Sequence, residues 1–216
     1  MKARYLTLGV ALGVLGATAH ADVYSWVQWN SPVGNTVTGS ISTSNGPVGV
    51  TVTGPFFQVL TNYPSWTPTT SYADGTIIDN APDNTSIVQI LTTGSFNVSF
   101  NTTVKDLAFS VWSVGQGGLP VTYAFDKNLT FVVGGPGAEF GGGSITTTAT
   151  TLTGVEGNGS VLFEDSLSVL NFEVQNAENW HGFNLGLKYE QPVPEPATMA
   201  TLALGAAALL RRRRRV

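Results

Sequence analysis

The sequence predicts an all-β protein: a single antiparallel β-sandwich or jelly-roll-like domain, flanked by an N-terminal signal peptide and a short C-terminal transmembrane helix. Three observations carry this expectation. Apolar and polar side chains alternate with a period of two over much of the chain, Gly- and Pro-containing breakers separate the runs, and no stretch of the body keeps a 3.6-residue apolar period. Composition agrees, since 25 Gly and 11 Pro with abundant Thr, Ser and Asn disfavour long helices and suit short strands.

In chain order, Lys2 and Arg4 precede a short apolar run from Leu6 to Ala17, and Ala19-His20-Ala21 places small residues where a signal peptidase requires them. Residues 1–21 therefore read as a cleaved signal, with Asp22 as the new N-terminus. Residues 22–190 form the predicted sandwich. Phe96, Val98 and Phe100 alternate with Asn97 and Ser99, and Leu107, Phe109 and Val111 alternate with Ala108 and Ser110. Val121, Tyr123 and Phe125 repeat the pattern, Leu129, Phe131 and Val133 follow a turn at Asp126-Lys127-Asn128, and Phe183, Leu185, Leu187 and Tyr189 close the series. One set should face a core and the other water. Breakers at Asn45-Gly46-Pro47, Gly54-Pro55, Gly115 to Gly118, Gly134 to Gly137, Gly141 to Gly143 and Gly157-Asn158-Gly159 divide the body into ten or more strands. Tyr63 to Asn84, with little alternation, reads as one long irregular loop.

Residues 191–216 are a different material. Pro192, Pro194 and Pro196 make a spacer that joins neither helix nor sheet interior. Ala197 to Leu210 is apolar or small except for Thr198 and Thr201, and Arg211, Arg212, Arg213, Arg214 and Arg215 follow. As a helix the apolar run reaches about 21 Å, short of a hydrocarbon core about 30 Å thick, so it spans only with thinning or snorkelled arginines. The arginine block should stay cytoplasmic and leave the body outside.

The order Pro194-Glu195-Pro196, short apolar helix, arginine block resembles the PEP-CTERM sorting signal of Gram-negative bacteria. The resemblance covers the tail alone. It implies recognition by an exosortase, a membrane protease that removes such tails near the motif, and a transient membrane anchor followed by delivery to the cell surface or outside. It also implies a setting of biofilm and extracellular polysaccharide.

Charge and residue types narrow the chemistry of the body. Apart from the two ends it keeps Lys105, Lys127 and Lys188 against all 14 acids, a balance that excludes nucleic acid as a partner. With no Cys there is no disulfide, thiol nucleophile or cysteine-ligated metal. Asp74, Asp79 and Asp83 share the long loop and are the candidates for calcium, against a reading as turn residues that bond their own backbone. Glu164 and Asp165 are adjacent, so on a strand they point to opposite faces, the wrong geometry for a glycosidase pair. His181 is the one histidine of the mature body and reads as an imidazole satisfied at a strand start beside Trp180. Tyr63, Trp66 and Tyr72 in the long loop are candidates for stacking on sugar faces, or else rings that plug the core. The glycine loops lack a Gly-Lys-Ser/Thr ending and are turns.

The expected function is that of an exported, non-enzymatic surface or matrix protein, structural or adhesive, in contact with exopolysaccharide or neighbouring proteins and needing no cofactor. Signal peptidase and an exosortase-like protease are its expected processing partners. The alternative is a carbohydrate-binding, lectin-like module, and a secreted hydrolase ranks third for want of a motif.

Overall fold

A computed structural model describes residues 23–61, 66–83 and 86–189. The signal peptide, Tyr63, Asn84 and the tail from 191 onward lie outside the described residues. The strands in chain order are β1 Tyr24–Trp26, β2 Gln28–Trp29, β3 Thr36–Thr43, β4 Gly46–Thr53, β5 Gln58–Thr61, β6 Ser86–Ile90, β7 Gly94–Val104 and β8 Leu107–Val114. There follow β9 Val121–Phe125, β10 Thr130–Gly135, β11 Gly143–Ser144, β12 Thr146–Thr147, β13 Thr151–Gly154, β14 Gly157–Phe163, β15 Leu167–Val174 and β16 His181–Lys188. A single 3-10 turn, Thr69–Ser71, is the only helical element among the described residues.

Two eight-stranded sheets result. The first runs β10-β14-β8-β16-β6-β5, with β1 added to β16 and β11 to β14; the second runs β12-β13-β9-β15-β7-β4-β3-β2. Pairing is antiparallel except at the two-residue β11–β14 contact. The chain changes sheets between Trp26 and Gln28, so Trp26 and Trp29 end in different apolar clusters. The inward rows of both sheets meet in one core. At its centre Phe109 of β8 stacks on Phe183 at 5.0 Å and meets Phe125, Phe172 and Tyr123 edge-on at 5.3, 5.5 and 6.2 Å. Alternation read from the sequence places these rings correctly: Phe96, Val98, Phe100, Phe109, Val111, Tyr123, Phe125, Phe183 and Leu185 all point inward.

Solvent exposure of the opposite rows divides the two sheets. On the second sheet Asn97, Asn101, Asn171 and Glu173 are exposed, as a period of two demands. On the first, every residue of β8 and β14 is buried, as is β16 as far as Leu187. Its outer face is tiled by Trp26 and the segment 66–83, which form two further apolar clusters against Ala108, Leu162, Ile87 and Trp112. Small outward residues make room for that cover. A Cβ on Gly186 would stand 2.7 Å from the Trp26 ring. The expectation that these strands expose one face to water is therefore corrected: Ala108, Ser110, Asn184 and Gly186 face a second, thinner layer.

Two local expectations also change. Leu129 is buried ahead of β10 rather than within it, a register shift separates Phe131 from Val133, and Phe131 is exposed. Gly157-Asn158-Gly159 is not a turn but the buried start of β14.

Candidate functional site

Polar side chains that could carry chemistry lie mostly inside. Across from Asn158, β8 holds one residue too many: Val111 pairs with Gly159 and Val114 with Gly157. The extra residue makes a bulge in which Ser113 takes a left-handed φ of 54°. The Asn158 side chain fills the broken ladder. Its Oδ1 accepts from the Ser113 N–H at 2.9 Å and the Tyr72 hydroxyl at 3.1 Å. Its Nδ2 donates to the carbonyls of Glu156 at 3.0 Å and Gly141 at 3.3 Å. All four hydrogen-bonding positions of the amide are used, at 1 % exposure.

A second polar group bridges the sheets at one end of the sandwich. The Tyr123 hydroxyl of β9 lies 3.1 Å from Nδ1 of His181 on β16, and Glu178 Oε1 lies 3.3 Å from the same nitrogen. Glu178 Oε1 also accepts from the Gly115 N–H at 2.7 Å. His181 is wholly buried, and its Nε2 has no partner. Burial pushes the imidazole down to about 3. Burial raises the Glu178 carboxyl to about 8, against the Gly115 N–H, with the Glu156 charge adding to the rise. At neutral pH the contact thus joins a neutral imidazole to a carboxyl that is mostly protonated. With His181 fully buried, the Tyr123–His181 contact ties the two sheets together.

This arrangement has a pH signature with a definite sign. Folded Glu178 keeps a proton that the unfolded chain releases above about 4.5, so stability falls as pH rises from there toward 8. Folded His181 refuses a proton that the unfolded chain takes up below about 6.5, so stability falls as pH drops from there toward 3. Between 4.5 and 6.5 the two slopes oppose and cancel. Wild-type protein should show a plateau of melting temperature in that window, with an alkaline fall on the order of 1 kcal/mol per pH unit after allowance for screening. Glu178→Gln, which can still accept from Gly115, should match wild type at pH 5.5 and lose the alkaline fall. Parallel profiles of the two proteins above pH 6.5 would refute the assignment.

The long-loop candidates separate. Trp66 and Tyr72 are 1 % and 0 % exposed and meet edge-to-face at 5.2 Å over the outer face of the first sheet. Sugar stacking at these two rings is corrected: their faces are spent on packing, and the Tyr72 hydroxyl is bound by Asn158. Asp74 shapes its own turn. Its Oδ1 accepts from the N–H groups of Thr76, Ile77 and Ile78 at 3.2, 2.9 and 2.9 Å, and the Thr76 hydroxyl donates to Oδ2. Burial, the largest single influence, raises the carboxyl, and the four bonds together outweigh it and bring it down to about 2. Asp79 and Asp83 are exposed, and among the described residues no three His, Asp or Glu side chains gather in a group that could hold a metal. Glu164 and Asp165 are exposed beyond the end of β14.

Two surfaces bear on outside contact. On the outer face of the second sheet an open trough of about 490 Å³ is lined by Thr53, Ser95, Asn97, Asp126, Asn171 and Glu173. An amide ladder crosses it, with Asn97 Nδ2 donating to Asn171 Oδ1 and Asn171 Nδ2 to Asp126 Oδ2, both at 2.8 Å. The other surface carries Phe140, 46 % exposed, beside half-buried Trp180. Sequence reasoning read Trp180 only as a packing ring beside His181 and passed over Phe140, although a lone aromatic among Gly137 to Gly143 was a legible signal.

The ends of the described chain lie together. Tyr24 pairs with Lys188 in the β1–β16 ladder, and the Tyr189 N–H donates to the Val23 carbonyl at 2.7 Å. The chain therefore enters and leaves the described sandwich at one pole. No helix among the described residues is long and apolar enough to cross a membrane.

Comparison with protein families matches residues 192–215 to the PEP-CTERM protein-sorting motif. The match begins four residues beyond the last strand, which ends at Lys188. No curated protein and no solved structure matches the chain.

Proposed function

We propose that this chain, whose tail carries the PEP-CTERM sorting motif, is a non-enzymatic surface or matrix protein acting through contacts of its β-sandwich with exopolysaccharide or neighbouring proteins. The motif itself implies export, processing by an exosortase-like protein, and transient membrane anchoring before release at the surface. The observation that carries the reading is the placement of the motif directly after a strand whose end is paired with the first strand of the described residues. One pole is thereby the tether, and the rest of the sandwich is free to meet partners.

Two features support a role in contact rather than turnover. Asn158, Glu178, His181 and Asn184 are engaged inside the fold as structural hydrogen-bonding groups. The polar side chains exposed on the second sheet are mostly hydroxyls and amides, with the carboxylates of Asp126 and Glu173 among them, a set suited to many weak bonds with a hydroxyl-rich polymer. Replacing Pro194, Glu195 and Pro196 with alanine tests the sorting half of the proposal. Cell fractionation should move the product from the surface to the inner membrane, where it stays held by its tail. An unchanged surface fraction would refute it.

A further inference from the structure

At the pole opposite the tether, Phe140, Trp180 and Trp112 form a raised aromatic group. Trp112 is buried at 1 % exposure and serves as its base, with centroids 3.9 Å from Trp180 and 5.4 Å from Phe140. The two upper rings stand 6.3 Å apart and inclined at 49°. Strand β16 separates them from the tether by its length, about 23 Å at 3.3 Å per residue.

Phe140 is held in place. Its loop is closed by the Gly137 and Gly141 backbones, which exchange hydrogen bonds at 2.6 and 3.1 Å. The Asn158 side chain ties the Gly141 carbonyl to β14, and the Ala138 N–H donates to the Thr67 carbonyl at 2.8 Å. An exposed phenyl ring on so well-anchored a loop loses little conformational freedom on meeting a ligand. Neighbouring loops leave access open, since a Cβ on Gly117, Gly118 or Gly141 would meet nothing within 4 Å.

The surroundings specify what fits. Beside Trp180, the Asn179 amide donates to the Gln116 side-chain carbonyl at 3.1 Å, and exposed Glu139 precedes Phe140. Lys105 and Lys188 stand at the tether end, beyond β7 and β16, and Lys127 lies beside Asp126 on the second sheet. Apolar ring faces beside amides and a carboxylate, with none of the three described lysines in the group, suit a ligand that has C–H faces, hydroxyl edges and no negative charge. We infer that Phe140 and Trp180 form a stacking site for the pyranose rings of a neutral polysaccharide. This rests on the surface-contact reading above and gives it a place and a ligand class.

The test uses the exported protein purified from its producing cells, titrated calorimetrically with cellohexaose, laminarihexaose and mannohexaose, and with hexagalacturonate as the anionic comparison. At least one neutral hexaose should bind with a saturable sub-millimolar Kd, and hexagalacturonate should not. Phe140→Ala should weaken binding by about tenfold or more, and Asn97→Ala in the trough should leave it unchanged. If Phe140→Ala fails to fold, Phe140→Leu keeps the apolar bulk without the ring and should show the same loss. Failure of every neutral hexaose to bind, or binding indifferent to residue 140, would overturn the site. Binding lost in Asn97→Ala alone would move the contact to the trough, overturning the site while leaving the surface-contact reading intact.

Discussion

Asn158→Ala is expected to lower the free energy of unfolding by about 2–4 kcal/mol, read as a fall in melting temperature of roughly 5–10 °C. The substitution removes no apolar packing of consequence. It removes the partner of the Ser113 N–H and takes one bond each from the Tyr72 hydroxyl and from the carbonyls of Gly141 and Glu156, which keep the Gly137 and Gly143 N–H groups as donors. A buried polar group without a partner costs about 1–3 kcal/mol, and relaxation or entering water recovers part of the sum. Asn158→Asp, nearly the same shape, should do no better, because its carboxylate would face two carbonyl oxygens where the amide donated. Tyr72→Phe removes the hydroxyl's bond to Asn158 and should cost about 1 kcal/mol. A loss under about 1 kcal/mol for Asn158→Ala would mean that the bulge in β8 holds without its side-chain support.

The second large effect belongs to the apolar core. Phe109→Ala should destabilise by about 3–5 kcal/mol, with the unfolding midpoint in denaturant moving accordingly. Phe109 is fully buried and is the one ring in contact with Tyr123, Phe125, Phe163, Phe172 and Phe183 together. These partners come from both sheets and have backbones fixed by ladder bonds, so a collapse into the void is restricted. Phe131→Ala, at 43 % exposure on β10, is the comparison and should cost far less. Equal losses at the two positions would show that the two sheets do not share the centre described.

Period-two alternation made the inward rows legible, because a core-facing side chain repeats locally whatever the topology. Which outer face meets water was not legible in the same way. Ala108, Ser110, Asn184 and Gly186 look like a solvent row, and only the long-range folding of 66–83 over them reveals a second apolar layer. The same cover explains Trp66 and Tyr72: rings in a Pro-rich loop advertise either exposure or plugging, and the loop's landing place decides. Gly157-Asn158-Gly159 misled for a related reason. Two glycines around an asparagine are a turn signal by local chemistry, whereas their role depends on an extra residue in β8, remote in sequence.

His181 was legible as a packed residue, yet its partner Glu178 was not. A carboxyl three residues before a strand start reads as surface charge, and its burial follows from the Gly115 N–H that receives it. The tail stands at the other extreme. Its signal is wholly local, made of proline spacing, apolar length and an arginine block, and residues 192–215 match the sorting motif without help from any contact.

The central claim is that the sandwich is cargo and the tail its removable address. Intact-mass measurement of the product from cells that contain an exosortase tests it most directly. The account predicts a species beginning near Asp22, ending near Glu195 and lacking Arg211 to Arg215, at the surface or in the medium. A full-length chain of 216 residues recovered from the cytoplasm, or a surface product that still carries the arginine block, would contradict it.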